Sequence, residues 1–126
     1  MQKALFVGLA GLLGTLSRYW LSDWMARRFG DEFPTPTLVV NITGCFVAGI
    51  FLYFLQERWL ANTTLQATVF IGFLGAFTTF SSVGLQTFTL LRNGEPALAA
   101  LYMVASNLGG LLMVWAGYGL AKLVSS

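Results

Sequence analysis

The residues able to do chemistry in this chain are few, and they stand in apolar surroundings. Thr78, Thr79, Ser81 and Ser82 follow Gly72 and Gly75, with Phe73, Phe77 and Phe80 threaded between them. Arg18, Asn41, Tyr102 and Ser106 are further polar groups set inside long apolar runs. Hydroxyls and amides donate hydrogen bonds, and phenyl edges carry partial positive charge. A guanidinium adds a permanent cation. Such a set can replace water around an anion, but it is poorly equipped to make or break bonds. The sequence has no histidine, which removes histidine-based triads and histidine metal ligands. Its carboxylates, Asp23, Asp31, Glu32, Glu57 and Glu95, fall near expected helix ends or in connections. No carboxylate pair is therefore placed for acid/base work in a membrane, and no titratable relay for a proton-coupled pump. The expectation is a passive conductor rather than an enzyme.

The elements that must position these groups follow from composition. Of 126 residues, 56% are hydrophobic and 10% charged, against roughly a quarter charged in soluble domains. The bilayer is the expected solvent and lipid an expected partner. A spanning helix takes about 20 apolar residues, so the chain accommodates four. The pattern places them at 4–27, 36–57, 65–91 and 96–122, one all-α transmembrane domain over residues 1–126. Lys3 before an apolar stretch has the look of a signal peptide. The stretch runs past Arg18 to Trp24 without a cleavage-like region, however, and reads as the first span. A net charge of +2, with no basic cluster larger than Arg27-Arg28, gives no case for nucleic acid. Cys45, inside an apolar run, reads as a small packing residue.

Within the first span Gly8, Gly11 and Gly14 recur every third residue, which suits close helix approach. They do not match a nucleotide loop: the spacing is not G-x-G-x-x-G and no strand precedes them. Arg18 admits three readings: an interfacial residue that snorkels, a buried structural residue, or the cation of an anion-attracting vestibule. Asn41, about one turn inside the second span and followed by Gly44, reads either as an interhelical hydrogen bond or as a pore-lining amide. Phe70, Phe73, Phe77 and Phe80 are spaced three, four and three apart, a single face if the third helix is regular. That helix is longer than a span needs and carries glycines and hydroxyls at its centre. The expectation is a helix broken near mid-membrane, a feature tolerated where backbone is buried in protein or lines a cavity.

The connections carry turn residues, Gly30, Asp31, Glu32 and Pro34 in one and Arg92-Asn-Gly-Glu-Pro96 in another. Pro36 and Pro96 open helices. Trp20, Trp24 and Trp59 suit headgroup level. Asn62-Thr-Thr64 matches a glycosylation acceptor, a pattern too frequent by chance to use. Lys3, Arg58 and Lys122 would lie on one side of the membrane, Arg27, Arg28 and Arg92 on the other. Three against three leaves the positive-inside rule without a bias. Such a chain can insert either way up. An antiparallel, dual-topology dimer is the expected assembly, because four helices alone are too few to enclose a hydrated path.

Pro36-Thr-Leu-Val-Val-Asn41 with Gly44, and the run from Gly72 to Ser81, resemble the two most characteristic stretches of the Fluc/CrcB fluoride channels. Arg18 after Gly14 resembles that family's first-helix arginine, and the likeness extends over the whole chain. The resemblance implies a dual-topology dimer in a bacterial inner membrane, with fluoride as the passenger and a central structural sodium ion as cofactor. It implies that Gly75 and Thr78 hold the sodium through their carbonyls. It also implies that Asn41, Phe80, Ser81, Ser82, Tyr102 and Ser106 fall along the fluoride path. The chain departs from the family pattern at three places. Val83 stands where a second phenylalanine is usual, Gln86 where glutamate is usual, and Gly110 where a serine is frequent. These departures leave open a heterodimer with a paralogous subunit, in which this chain is a non-conducting or degenerate-pore partner, or a homodimer that conducts with one ring per chain in each pore. A small multidrug transporter, another four-helix class, would need a glutamate in the first span. The first carboxylate here is Asp23, near the helix end.

Overall fold

The computed structural model describes residues 1–30, 32–58 and 62–126. Asp31 and Trp59, expected in a turn and at the membrane interface, lie outside the described residues. The described chain is helical almost throughout and holds four helical stretches long and apolar enough to cross a membrane. Helix α1 covers Gln2–Phe29. Helix α2 covers Thr35–Leu52 and continues with π-helical geometry through Tyr53–Arg58. Helix α3 comprises Thr63–Gln66, a π-helical stretch Ala67–Leu74, and Gly75–Phe77. Helix α4 covers Phe80–Arg92 and helix α5 Pro96–Ser125.

Local chemistry sets these ends. Gly30 closes α1 at φ 72, and Gly94 turns the chain between α4 and α5 at φ 77, both conformations that a side chain disfavours. Pro36 and Pro96 sit in first turns, where a missing N–H is harmless. Asn62, the residue of the glycosylation-like triplet, accepts the Leu65 N–H at 2.9 Å and caps α3. At the end of α1 Arg27 pairs with Asp23 at 2.9 Å, and the Arg28 guanidinium lies 5.6 Å from the Trp24 ring centre.

Two crossings bring backbones together. Helix α2 runs along α5, and α1 along the π-helical part of α3. At the first, a Cβ on Gly117 would collide with the Phe46 carbonyl, and one on Gly49 with the Val114 carbonyl. At the second, a Cβ on Gly14 would collide with the Phe73 carbonyl. Gly11 also faces α3, whereas Gly8 meets nothing within 4 Å, so only part of the glycine series packs inside the chain. A second core joins α4 to α5: Val83, Leu90, Ala99 and Tyr102 cluster there, and Phe33 meets the Tyr102 ring edge-on at 5.7 Å. Much else that is apolar faces outward, including Leu5, Leu9, Leu12 and Leu13 of α1 and Leu108, Leu111, Leu112 and Trp115 of α5. A water-soluble fold would bury such residues, but in hydrocarbon they cost nothing. The protein is a multi-pass membrane protein.

The expected phenylalanine stripe does not form as one face. Phe73 and Phe77 stack at 5.8 Å. Phe77 is buried, but Phe80 is 78% exposed. The π-helical turns and the extended residues between Phe77 and Phe80 change the angular step on which the stripe depended.

Candidate functional site

The site is built on Thr78 and Thr79. The Thr78 N–H is the last to donate into α3, reaching the Leu74 carbonyl at 2.9 Å. Both threonines are then extended, Thr78 at φ −85, ψ 159 and Thr79 at φ −149, ψ 115. The Thr79 N–H, which a continuous helix would give to the Gly75 carbonyl, donates instead to Asn41 Oδ1 at 2.8 Å. Asn41 Nδ2 donates to the Thr79 carbonyl at 3.0 Å. Thr79 also caps the next helix: its Oγ1 accepts from the Ser82 N–H at 3.3 Å and donates to Ser82 Oγ at 3.0 Å. Arg18 reaches the same place from α1, with Nη1 3.4 Å from the Thr78 carbonyl.

Two cavities flank this segment. One, of about 210 Å³, is lined by Asn41, Cys45, Thr78, Thr79, Phe80, Val83, Ser106 and Asn107. The Ser106 hydroxyl is buried there and, among the described residues, has no hydrogen-bond partner of standard geometry. The other, of about 350 Å³, is lined by Arg18, Val40 and the hydroxyl-bearing residues Thr15, Tyr19, Ser22, Thr37, Thr79 and Ser82. Thr79 belongs to both walls. Among the described residues neither lining includes a carboxylate; both cavities are lined by residues that carry hydrogen-bond donors, and the larger adds the Arg18 cation. A buried polar chain stands nearby. The Tyr102 hydroxyl donates to Gln86 Oε1 at 2.6 Å, and Gln86 Nε2 donates to Thr37 Oγ1 at 2.9 Å.

The sequence-predicted residues thus divide. Asn41, Phe80 and Ser106 share the smaller cavity, while Arg18 and Ser82 face the larger. Tyr102 lies in the α4–α5 core and touches the site through Gln86. Ser81 is exposed, its hydroxyl 3.3 Å from Thr79 Oγ1. Gly75 is exposed at the end of α3, with its carbonyl released by the diversion of Thr79.

This arrangement bears on a cation. The carbonyls of Gly75 and Thr78 come from the C-terminal end of a helix, where the dipole favours positive charge and orphan oxygens remain. Gly75 is exposed in the single chain, while the Thr78 carbonyl already has Arg18 Nη1 at 3.4 Å. Oxygen donors of this kind fit sodium. Hard cations take about six oxygens, so one chain supplies only part of a shell.

A protein-family model described as CrcB-like protein, Camphor Resistance (CrcB), matches residues 5–118. The chain belongs to the CrcB family. It is 43% identical to fluoride-specific ion channel FluC 2 of Moorella thermoacetica, over 90% of this chain and 92% of that protein. It is 41% identical to fluoride-specific ion channel FluC of Rhizobium leguminosarum bv. trifolii, over 96% of this chain and 95% of the relative. The FluC protein of Geotalea daltonii is 39% identical, over 98% of this chain and all of its own length.

Several residues of this CrcB chain escaped site assignment from sequence. Thr79 is the hub of the hydrogen bonding, and Thr37, Gln86, Cys45 and Asn107 line cavities or join the polar chain. A signal existed for three of them. Thr37, Asn41 and Cys45 recur at helical spacing and share one face of α2. Thr79 directly precedes Phe80-Ser-Ser, as an N-cap precedes a first turn. The departures also find places: Val83 is 3% exposed and packs with Tyr102. Gly110 lies against Cys45, whose Sγ would be 3.2 Å from an added Cβ.

Proposed function

We propose that this chain is a passive, fluoride-selective ion channel of the bacterial inner membrane, which lets fluoride leave the cytoplasm and so relieves its toxicity. The observation that carries the reading is the cavity beside Thr79. There Asn41, Phe80 and Ser106, whose buried hydroxyl has no hydrogen-bond partner of standard geometry among the described residues, line one wall with no carboxylate in the lining. An entering anion sheds water, and these donors replace part of its shell. Ring edges add positive electrostatic potential without a hydration cost of their own. Selectivity follows because a narrow donor-lined passage compensates a small, strongly hydrated anion better than a larger one. Nothing in the step requires a proton or a nucleophile. The names of the relatives support the same passenger and give no support to a non-conducting partner.

The assembly belongs to the same proposal. Two copies in antiparallel orientation would cover the exposed surface around Gly75 and Phe80, and the balanced flanking charge allows either insertion. The Gly75 and Thr78 carbonyls of both copies would then hold a sodium ion, which supplies a fixed positive charge at the centre. Efflux from liposomes containing only this purified chain tests the reading, with chloride measured alongside. Fast fluoride efflux without chloride leak is expected. Equal chloride flux, or a folded protein that passes no fluoride, would overturn it.

A further inference from the structure

Asn41 does more than line a cavity. In an extended residue the N–H and C=O point to the same side, as at the paired positions of an antiparallel sheet. Thr79 is such a residue, and the Asn41 carboxamide meets both of its groups, at 2.8 and 3.0 Å. The side-chain amide behaves as a one-residue strand. The pairing also settles the orientation of the amide, because a flip would set N–H against N–H and oxygen against oxygen. Helix α2 reaches this close because Gly44, one turn on from Asn41, has no side chain. A Cβ there would collide with the Thr78 methyl and stand 3.2 Å from the Phe77 ring.

We infer that Asn41 is a positioning residue: its carboxamide clamps Thr79 and holds the interruption between α3 and α4 open. Without the clamp, the Thr79 N–H would lose its partner in apolar surroundings, which is costly. The acceptor in helical register is the Gly75 carbonyl. Forming that bond would draw Thr78 and Thr79 into helical geometry, silence the Gly75 oxygen and turn Phe80 with α4. The clamp has a second effect. With one lone pair of Oδ1 and one N–H of Nδ2 engaged by Thr79, Asn41, which lines the 210 Å³ cavity, keeps its other N–H as a donor. That second effect rests on the anion-channel reading above, whereas the clamp itself does not.

Amide exchange tests the clamp in the full chain, labelled with ¹⁵N-threonine and ¹³C-carbonyl in detergent micelles. In the unsubstituted protein the Thr79 amide should exchange slowly, with Thr87 of α4 as an internal control. Asn41→Ala should shift the Thr79 carbonyl resonance and either accelerate exchange at Thr79 tenfold or more, if the N–H is left open, or move that resonance into the helical range, if the N–H closes on Gly75, with Thr87 within threefold in both cases. Unchanged exchange at Thr79 together with an unmoved Thr79 carbonyl resonance would overturn the inference. Asn41→Asp keeps an acceptor for the N–H but loses the donor, so Thr79 should stay protected while its carbonyl resonance shifts. If Asn41→Ala does not fold, an unmoved carbonyl resonance in Asn41→Asp overturns the inference by itself. Failure of the two readings is separable. A protein that passes no fluoride yet protects Thr79 removes the channel and keeps the clamp. A conducting protein with an unprotected Thr79 does the reverse.

Discussion

The α2–α5 crossing and the interruption at Thr78–Thr79 solve opposite problems with opposite means. At the crossing, two regular helices approach until backbone meets backbone, and the sequence contributes by leaving side chains out at Gly49 and Gly117. At the interruption the regular backbone stops, and every freed group has to be answered. Asn41 takes both backbone groups of Thr79, the Thr79 hydroxyl caps the next helix, and Arg18 approaches the Thr78 carbonyl. What is left over is a set of donors around two cavities. In a low-dielectric solvent, a helix end left unanswered would be ruinous. One answered by side chains becomes a place where an ion can stop. Rigidity at the crossing and polarity at the break are complementary, since the first holds α2 where Asn41 can reach.

The comparison predicts unequal sensitivities. Gly117→Leu should have the largest effect, because its Cβ meets the Phe46 carbonyl rather than a movable side chain. Overpacking costs about 1–3 kcal/mol and more where backbone must shift. Thermal unfolding in detergent should show a loss of at least about 3 kcal/mol or no folded protein at all. A Gly117→Leu protein with unchanged unfolding would mean that the crossing is looser than it looks. Phe80→Ile comes next and acts on transport instead of stability, since Phe80 is exposed in the chain yet lines the cavity. Fluoride efflux should fall at least about tenfold, or about 1.4 kcal/mol of barrier, with unfolding unaffected. Phe70→Ile should leave efflux near its original rate. The reverse ranking would move the ion path to the other side of α3.

Why some of this was legible in the sequence and some was not follows from the range of the forces involved. Four spans follow from a local property, long apolar runs bounded by Pro and Gly turns, and that property needs no partner to be read. Glycines and hydroxyls concentrated at 72–82 likewise announced an unusual backbone. The partner of that backbone was hidden. Asn41 and Thr79 are 38 residues apart, and nothing in either local sequence encodes the pairing. An interhelical hydrogen bond and a pore-lining amide looked like alternatives for Asn41. The geometry assigns it the bond to Thr79 and a place on the cavity wall together. The phenylalanine stripe failed for a physical reason, because its spacing presumes 3.6 residues per turn and α3 departs from that. Tyr102 and Gln86 could be seen as polar, but only the packing of α4 on α5 joins them at 2.6 Å.

The smallest expected effect isolates the cap from the clamp. Thr79→Val keeps the shape and the β-branched preference for extended backbone, and it leaves both backbone bonds to Asn41 in place. It removes the oxygen that accepts the Ser82 N–H and donates to the Ser82 hydroxyl. Loss of an N-cap costs about 1 kcal/mol, and the 3.3 Å separation from the Ser82 nitrogen places this cap among the weaker ones. Unfolding in detergent should therefore report a loss of about 1 kcal/mol or less, with the Thr79 amide still protected. If Thr79→Val instead destabilised the protein as much as Gly117→Leu, the hydroxyl rather than the Asn41 amide would be what holds α3 and α4 apart. The division between a side-chain clamp and a helix cap would then have to be redrawn.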